Sequence, residues 1–488
     1  MDRRFHRSAR ERVETLIRAP SEAARRKLDR FMEEGGYVVT TGQQPGLFGG
    51  PMYSLYKALS ALKLAEAVEP VVGRPVLPLF WVGSEDHDWA EADHTYLLDP
   101  QNDLHTFRVP EQAGALHRPL FRVPLEDGLD SVTSSFAEAL PETDFSPELL
   151  ERLRSAFGRG RTLSDGFVEL LESLLGHLPI LFAEAHDPAL KEASQALLFR
   201  ELEEAESHEA LLSRVASHLE MEGYALQVPI LEGGVNLMFE GPAGRDRLFR
   251  NGSDFRLSRA ETVLSGDELR AMTRDDPSLL SPNVFLRPVV ESALFPTLAY
   301  VAGPGEMAYF AQIRELFHAH EIRMPVIVPR HSATLLEGKV EKVLDKFHLT
   351  VESLNRPHHE LAGEIAREEV PDEIRRALGE LRGAVGKGAG TLLKAARDVD
   401  PTLKGPVTQA RNTAFSAFDE AERKILQAVK RQNEIALTQL EKAQQNLFPL
   451  GQPQERVMNP FYYLTRYGPD LIGKLLDAFP VALGTKPA

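Results

Sequence analysis

Cysteine is missing altogether from these 488 residues. That absence removes disulfides, thiolate metal sites and cysteine nucleophiles at once, and it fits a reducing compartment. A basic excess is missing too: 56 lysines and arginines stand against 72 aspartates and glutamates, for a net charge of -16. A chain-wide basic footprint for nucleic acid is thereby excluded, although a local basic cleft for small acidic molecules is not. No uninterrupted apolar run approaches the roughly 18 residues a membrane-spanning helix needs. The opening MDRRFHRSARERVETLIRAP carries basic residues with no apolar segment behind them, unlike a secretory signal. A soluble cytoplasmic protein, with no nucleic-acid or membrane partner, is the expectation. Tandem repeats and low-complexity tracts are also lacking.

What is present describes a globular chain, with 43% hydrophobic and 26% charged residues. Its length predicts roughly two to four units and leaves room for a large core. Residues 1–34 read as polar and helical. YVVTTG (37–42) reads as a short buried strand closed by glycine. In PMYSLYKALSALKLAEAV (51–68), Met52, Leu55, Tyr56, Leu59 and Leu62 mark one helix face, and Pro51 suits a first helical position. RPVLPLFWVG (74–83) is a second strand. Strand, loop, helix, strand is a crossover that favours a parallel sheet.

The same logic returns late in the chain, in PTLAYVAGPGE (296–306), a helix, MPVIVPRHS (324–332) and a further helix. The sheet is therefore interrupted between about 95 and 290 by inserted α+β material, including helices over 188–222 and a hairpin over 224–250. Farther on, Ile374, Leu378, Leu381 and Val385, then Phe415, Phe418, Ile425 and Val429, step by helical spacings. They predict an antiparallel helical hairpin with its tip near 398–406. Uneven core positions and several glycines in its arms suit packing onto another surface.

Four loops carry candidate chemistry. A helix opening near residue 51 would aim N–H groups and its dipole into the turn Gly42–Gly50, where Gln43 and Gln44 add amides and Lys57 adds charge about two turns in. That turn is an anion grip or a tight corner with even weight. SEDHDWAEADH (84–94) gathers Glu85, Asp86, His87 and Asp88 beyond a strand end. The cluster suits a substrate ammonium, a magnesium ion or acid–base work, against the plainer reading of a solvated capping loop. His87 and Glu91 have helical metal-ligand spacing but no obvious third ligand, so no metal site is assigned. VAGPGEMAYF (301–310) repeats the glycine-helix motif with Gly303, Gly305 and Glu306. VPRHS (328–332) offers Arg330 for bidentate anion binding, His331 beside it, and Ser332 as a helix cap. GAVGKGAGT (383–391) has the wrong order for a phosphate loop, and no strand precedes it. PQERVMNPFYYLTRYGPDL (453–471) reads first as a closing helix on the core.

Five stretches together resemble the bacillithiol-biosynthesis cysteine ligases of the BshC type: TGQQPGLFGGPMYSLYKALSALKLAE, PLFWVGSEDHDWAEADH, YVAGPGEMAYFAQI, MPVIVPRHS and QERVMNPFYYLTRYGPDL. They occur in family order and span nearly the whole chain. The resemblance implies an α/β fold: a Rossmann-like parallel-sheet core (1–95 and 291–365) with inserted connecting-peptide modules (96–290). A C-terminal helical hairpin or coiled coil (366–450) and a closing segment (451–488) complete it. It further implies a homodimer and an ATP-dependent amide ligation of cysteine to glucosaminyl-malate, with ATP or its product ADP bound and Mg2+ as an open companion. The core is similar to nucleotidyltransferases and class I aminoacyl-tRNA synthetases. Their HIGH and KMSKS signatures are missing, which leaves adenylate and acyl-phosphate activation both open. His87, Asp86, Asp88 and Lys57 are then the catalytic candidates, with His87 the base. Gly42, Gln43, Gln44, Gly46, Gly49, Tyr53, Glu85, Gly303, Gly305, Glu306, Arg330 and His331 are the substrate- or nucleotide-binding candidates. A nucleotidyl- or glycosyl-transferring enzyme on the same core, or a non-catalytic dimeric scaffold, are the rival readings.

Overall fold

The computed structural model describes residues 13–481; the rest of the expected N-terminal helical stretch, before residue 13, and residues 482–488 lie outside the described residues. Thr334–Gln454 forms one compact unit, and the described residues on either side of it form the other.

The larger unit begins with α1 (Glu22–Glu34), whose N-cap Ser21 side chain accepts from the Ala24 N–H. β1 (Tyr37–Gln43), α2 (Tyr53–Val72) and β2 (Val76–Val82) follow as the expected crossover. Next come the short α3 (Trp89–Ala92), the hairpin β3 (His94–Leu98) and β4 (Leu104–Arg108), and a helical stretch ending in α4 (Leu163–Leu175). β5 (Leu181–Glu184) precedes two helices, α5 (Pro188–Glu203) and α6 (Ala205–Met221). The antiparallel strands β6 (Gly234–Gly241), β7 (Gly244–Asn251), β8 (Asp254–Leu257), β9 (Val263–Ser265) and β10 (Leu280–Pro282) come next. After α7 (Arg287–Leu294), the chain returns to the first sheet with β11 (Thr297–Ala302), α8 (Pro304–Gln312), α9 (Arg314–Ala319) and β12 (Val326–Pro329).

The first sheet has the order β12-β11-β1-β2-β5, and every pairing in it is parallel. Successive residues of β1 face opposite sides. Val38 packs with Leu28, Phe31, Leu79 and Trp81 on the α1 side, and Val39 packs with Ala61, Ala65 and Ala299 on the α2 side. A sheet covered on both faces explains why β2 reads as a continuous apolar run. Each fully buried valine or leucine here contributes about 1.5–3 kcal/mol. The inserted sheet, ordered β10-β6-β7-β8-β9, packs its own core of Leu237, Phe239, Leu248 and Leu257 against α5 and α6 through Leu198, Leu202 and Leu212.

The stretch expected to interrupt the sheet, 96–290, itself contributes β5, which pairs in parallel with β2 as the sheet's edge. Two local expectations also change. α2 starts at Tyr53, not at Pro51, and it is buried nearly all round over its first three turns, not on one face. The reason is a second layer on its outer side: Phe479 packs edge-on to Tyr56 at 5.6 Å. Ser332 does not cap a helix, because the next helix begins only at Gly338; its hydroxyl instead donates to Glu455 at 2.8 Å.

The smaller unit is helical. Gly338–Phe347, His358–Glu368 and Glu434–Leu447 close over Val340, Leu354, Leu361, Leu440 and Leu447. From this base extend α10 (Asp372–Val399) and α11 (Lys404–Gln432), joined by a short turn at Pro401–Leu403. Arg382 ties the two arms by donating to Asp419 and Glu422, both at 2.7 Å. Among the described residues, no helix is long and apolar enough to cross a membrane.

Candidate functional site

β1 pairs with β2 on one side and β11 on the other, so the connections leaving the sheet diverge at its carboxyl edge. Such a switch point leaves a crevice where ligands bind in open α/β sheets. A cavity of about 410 Å³ occupies it, lined by Gly42, Gln43, Gln44, Tyr53, Lys57, Glu85, Asp86, Gly303, Gly305, Glu306 and Arg330. Four loops remote in sequence thus meet along one rim. A second cavity of about 310 Å³ shares Gln43, Gln44, Tyr53 and Arg456 with the first and adds Gly46, Asp88 and Glu91.

The glycine turn serves as both corner and wall. Phe48, Gly49 and Gly50 take consecutive positive φ values of 52°, 89° and 66°, which reverse the chain before α2. Gly49 lies beneath Leu170, away from the cavities. Gly42 faces the first cavity, and a Cβ there would meet the Tyr300 hydroxyl at 3.1 Å. The corner is held by the C-terminal segment. Asn459 donates through Nδ2 to the Phe48 carbonyl and to Thr95 Oγ1, both at 2.9 Å, and the Met52 N–H donates to the Met458 carbonyl at 2.9 Å.

Most of the charged candidates are already partnered. Lys57 is 5% exposed; its Nζ donates to the Gly42 carbonyl at 2.6 Å and pairs with Glu306 at 2.7 Å. Burial lowers the Lys57 pKa, against the opposing pull of Glu306. Glu306 also accepts from the Gly303 N–H and the Tyr300 hydroxyl, each at 2.7 Å. Burial pushes the Glu306 pKa upward, but Lys57 and these donors outweigh it and hold the carboxyl below its ordinary value. Arg330 donates to Glu455 at 2.6 Å, with its guanidinium 5.6 Å from the Tyr53 ring centre. Glu85 pairs with the buried Lys191. Asp86 accepts from Gln44 Nε2 and from the N–H groups of His87 and Asp88, at 2.6 and 2.9 Å for the latter two. Asp88 caps α3 through the Glu91 N–H. The acidic cluster is therefore stabilised by specific donors.

His87 sits between two arginines, with Nδ1 3.3 Å from Arg245 and Nε2 3.3 Å from Arg259. Burial and these cations push its pKa down to about 4, so the imidazole is neutral near pH 7. His331 lies outside both cavities: its ring stacks on Phe479 at 4.6 Å, and its nitrogens contact Ser60 Oγ and the Pro480 carbonyl.

Three arginines lining the cavity were not among the candidates read from the sequence. Arg245, on β7 of the inserted sheet, donates to Ser281 Oγ and the Pro282 carbonyl, each at 2.9 Å. Among the described residues it has no carboxylate within ion-pair distance; Glu85 and Asp86 act on it only from farther away. Arg456 is exposed, borders both cavities and likewise lacks an ion-pair partner among the described residues. Arg287 also lines the first cavity, donating to Glu291 at 2.9 Å and Tyr309 at 2.8 Å. Only the alternation of GRDRLFR hinted that Arg245 and Arg247 leave the buried face occupied by Asp246 and Leu248.

A parallel sheet with a polar, cation-bearing crevice at its switch point defines a Rossmann-like protein. The chain belongs to the BshC family. The family profile for the N-terminal Rossmann-like domain of bacillithiol-biosynthesis BshC matches residues 8–331, and that for its C-terminal coiled-coil domain matches residues 333–485. Among its curated relatives, each named "Putative cysteine ligase BshC", the Salinibacter ruber protein is 34% identical over 94% of this chain and 83% of its own length. The Chlorobaculum tepidum protein is 32% identical over 93% and 83%. The Heliobacterium modesticaldum protein is 33% identical over 95% and 84%.

Proposed function

We propose that this chain is a cysteine ligase of bacillithiol biosynthesis, joining the cysteine carboxylate to the amine of glucosaminyl-malate with nucleotide-driven activation. The observation that carries the reading is the pair of cavity arginines, Arg245 and Arg456, left without carboxylate partners at ion-pair distance among the described residues. Unneutralised guanidinium groups at a partly desolvated site favour carboxylates and phosphates. The two adjoining cavities offer separate seats for two reactants.

Within this reading, Arg245 and Arg456 hold the anionic groups of substrate and nucleotide, aided by the glycine-backed start of α8. Lys57 positions the site: its charge is engaged by Glu306 and it fixes the Gly42 carbonyl. Asp86, held by three donors, anchors the incoming amine as its ammonium. His87, as a neutral imidazole, accepts from one of Arg245 and Arg259 and so orients that arginine. ATP, with Mg2+ as its companion, supplies the activation, for which the free cations provide a fitting charge. A cysteine carboxylate oxygen bonds to the γ- or α-phosphorus of ATP and displaces ADP or pyrophosphate. The ammonium gives one proton to solvent, the freed amine nitrogen bonds to the acyl carbon, phosphate or AMP leaves with the C–O bonding electrons, and the nitrogen gives its second proton to solvent.

Incubating the purified protein with ATP, cysteine and glucosaminyl-malate tests this directly. The expected result is bacillithiol by mass, with nucleotide turnover that requires both substrates; AMP release marks an adenylate and ADP release an acyl phosphate. No product and no substrate-dependent turnover would refute the reading and favour a binding scaffold.

A further inference from the structure

Away from the cavity, the inserted module buries three potential metal ligands together. Glu201 lies on α5, His208 on α6, and His320 at the end of α9; they are 0%, 1% and 4% exposed. Their ligand atoms all lie within 4.8 Å of one another. Glu201 Oε2 is 2.6 Å from His208 Nδ1 and 3.1 Å from His320 Nε2, and the two rings are 4.6 Å apart. Leu198, Leu202, Ala205, Leu212, Leu316 and Phe317 form the apolar core around these elements.

Such a setting is costly for polar groups unless each is satisfied. Glu201 Oε1 is satisfied, since it accepts from Asn236 Nδ2 at 2.9 Å and faces the Asn236 N–H at 3.4 Å. The opposite oxygen, Oε2, is left to two imidazoles. The outer ring nitrogens fare worse: among the described residues, His320 Nδ1 and His208 Nε2 have no hydrogen-bond partner, although Glu204 Oε2 stands 3.2 Å from the latter. Two carboxylates, Glu201 and Glu204, thus converge on His208 from both sides.

We infer that Glu201, His208 and His320 form a binding site for a divalent transition metal ion of the zinc class. Nitrogen and carboxylate donors in this number suit zinc, which takes imidazole nitrogen and carboxylate oxygen at about 2.0–2.2 Å. Tetrahedral ligands at such bond lengths stand about 3.3 Å apart, so the spans of 2.6 and 3.1 Å open by about 0.7 and about 0.2 Å to admit the ion. Glu201 Oε2, His208 Nδ1 and His320 Nε2 are the ligand atoms, and a water fills the fourth position. Each imidazole binds as the neutral ring through an unprotonated nitrogen, with its one proton carried on the other ring nitrogen; a proton beyond that one goes to solvent. His208 Nε2–H then donates to Glu204, and Asn236 fixes the carboxylate from behind; both are the outer supports that metal-bound side chains require. The ion would tie α5, α6 and α9 together, which assigns it to holding the module and not to the ligation chemistry.

The test uses the full chain, stripped with chelator and dialysed against micromolar zinc. One zinc per chain by elemental analysis is expected, with a raised Tm, and cobalt in its place should give the intense visible bands of a low-coordinate site. His320→Gln and Glu201→Gln should lose the stoichiometric zinc, while His318→Gln, altering an exposed neighbour, should keep it. Asn236→Ala should weaken zinc binding about 10- to 100-fold. If a ligand variant fails to fold, the cobalt spectrum and zinc stoichiometry of the unmodified protein decide. No bound zinc and no cobalt bands would overturn the site and leave a protonated imidazole as the cation, and zinc persisting undiminished in folded His320→Gln would overturn the ligand assignment.

Discussion

Lys57 and Glu306 define what a single residue can do here. A Lys57 with a purely catalytic part, the role expected from the sequence, would be replaceable by alanine with loss of product formation and little effect on folding. The ion pair at 2.7 Å, with Lys57 5% exposed, changes the second half of that expectation. Removing the ammonium leaves a buried carboxylate uncompensated, which costs about 3–5 kcal/mol. Lys57→Met should lower stability by that amount in urea unfolding, and adding Glu306→Gln should recover part of it. If Lys57→Met is as stable as the parent, the pair is not a structural strut. His87 gives a separate signature. Its folded pKa of about 4 lies below the ordinary histidine value, so the folded state binds fewer protons than the unfolded state between these limits. The stabilisation is fully present above about pH 6.5 and is lost as pH falls toward 4, to a limit of about 3 kcal/mol. His87→Gln should flatten the stability profile across that window, and an unchanged slope would locate the titration elsewhere.

At the scale of elements, the glycine turn is the piece on which the cavity depends, and its lock comes from far along the chain. Asn459 reaches the Phe48 carbonyl and Thr95, so Asn459→Ala should leave buried acceptors unsatisfied, at about 1–3 kcal/mol, and speed amide exchange across 46–52. Exchange there no faster than in the parent would sink that role. This arrangement also marks where sequence reading stops. β1, α2 and β2 were legible because a doubly covered parallel strand reads as an apolar run and glycine closes it. The inserted hairpin and the long arms were legible from periods of two and of three to four. Arg245, Arg456 and Asn459 were not, because their place at the site follows from tertiary packing of segments separated by hundreds of residues. Nor could the sequence reveal that Glu85 meets Lys191, or that His331 turns toward Phe479. Charge clusters were visible, but their partners were not.

At the scale of the whole molecule, the helical arms bear on assembly. Leu381, Leu392 and Val399 on α10 are spaced by 11 and 7 residues, which returns each to the same side of a helix. They are 51%, 55% and 81% exposed, so α11 does not cover this row. Aligned apolar side chains left in water favour association, at about 25 cal/mol per Å² of apolar surface removed. We propose that this row pairs with a second copy of the chain to make a homodimer. Because the row is narrow, the dimer should respond sharply to charge placed on it. Leu381→Glu with Leu392→Glu sets carboxylates three turns apart along the seam, where pairing would bury them without cations. Light scattering should then give the single-chain mass of 54.3 kDa, where the parent gives about twice that. Both positions are solvent-exposed in the single chain, so helicity and Tm at low concentration should change little. A parent already at the single-chain mass, or a double variant retaining the dimer mass, would remove the arms from the interface.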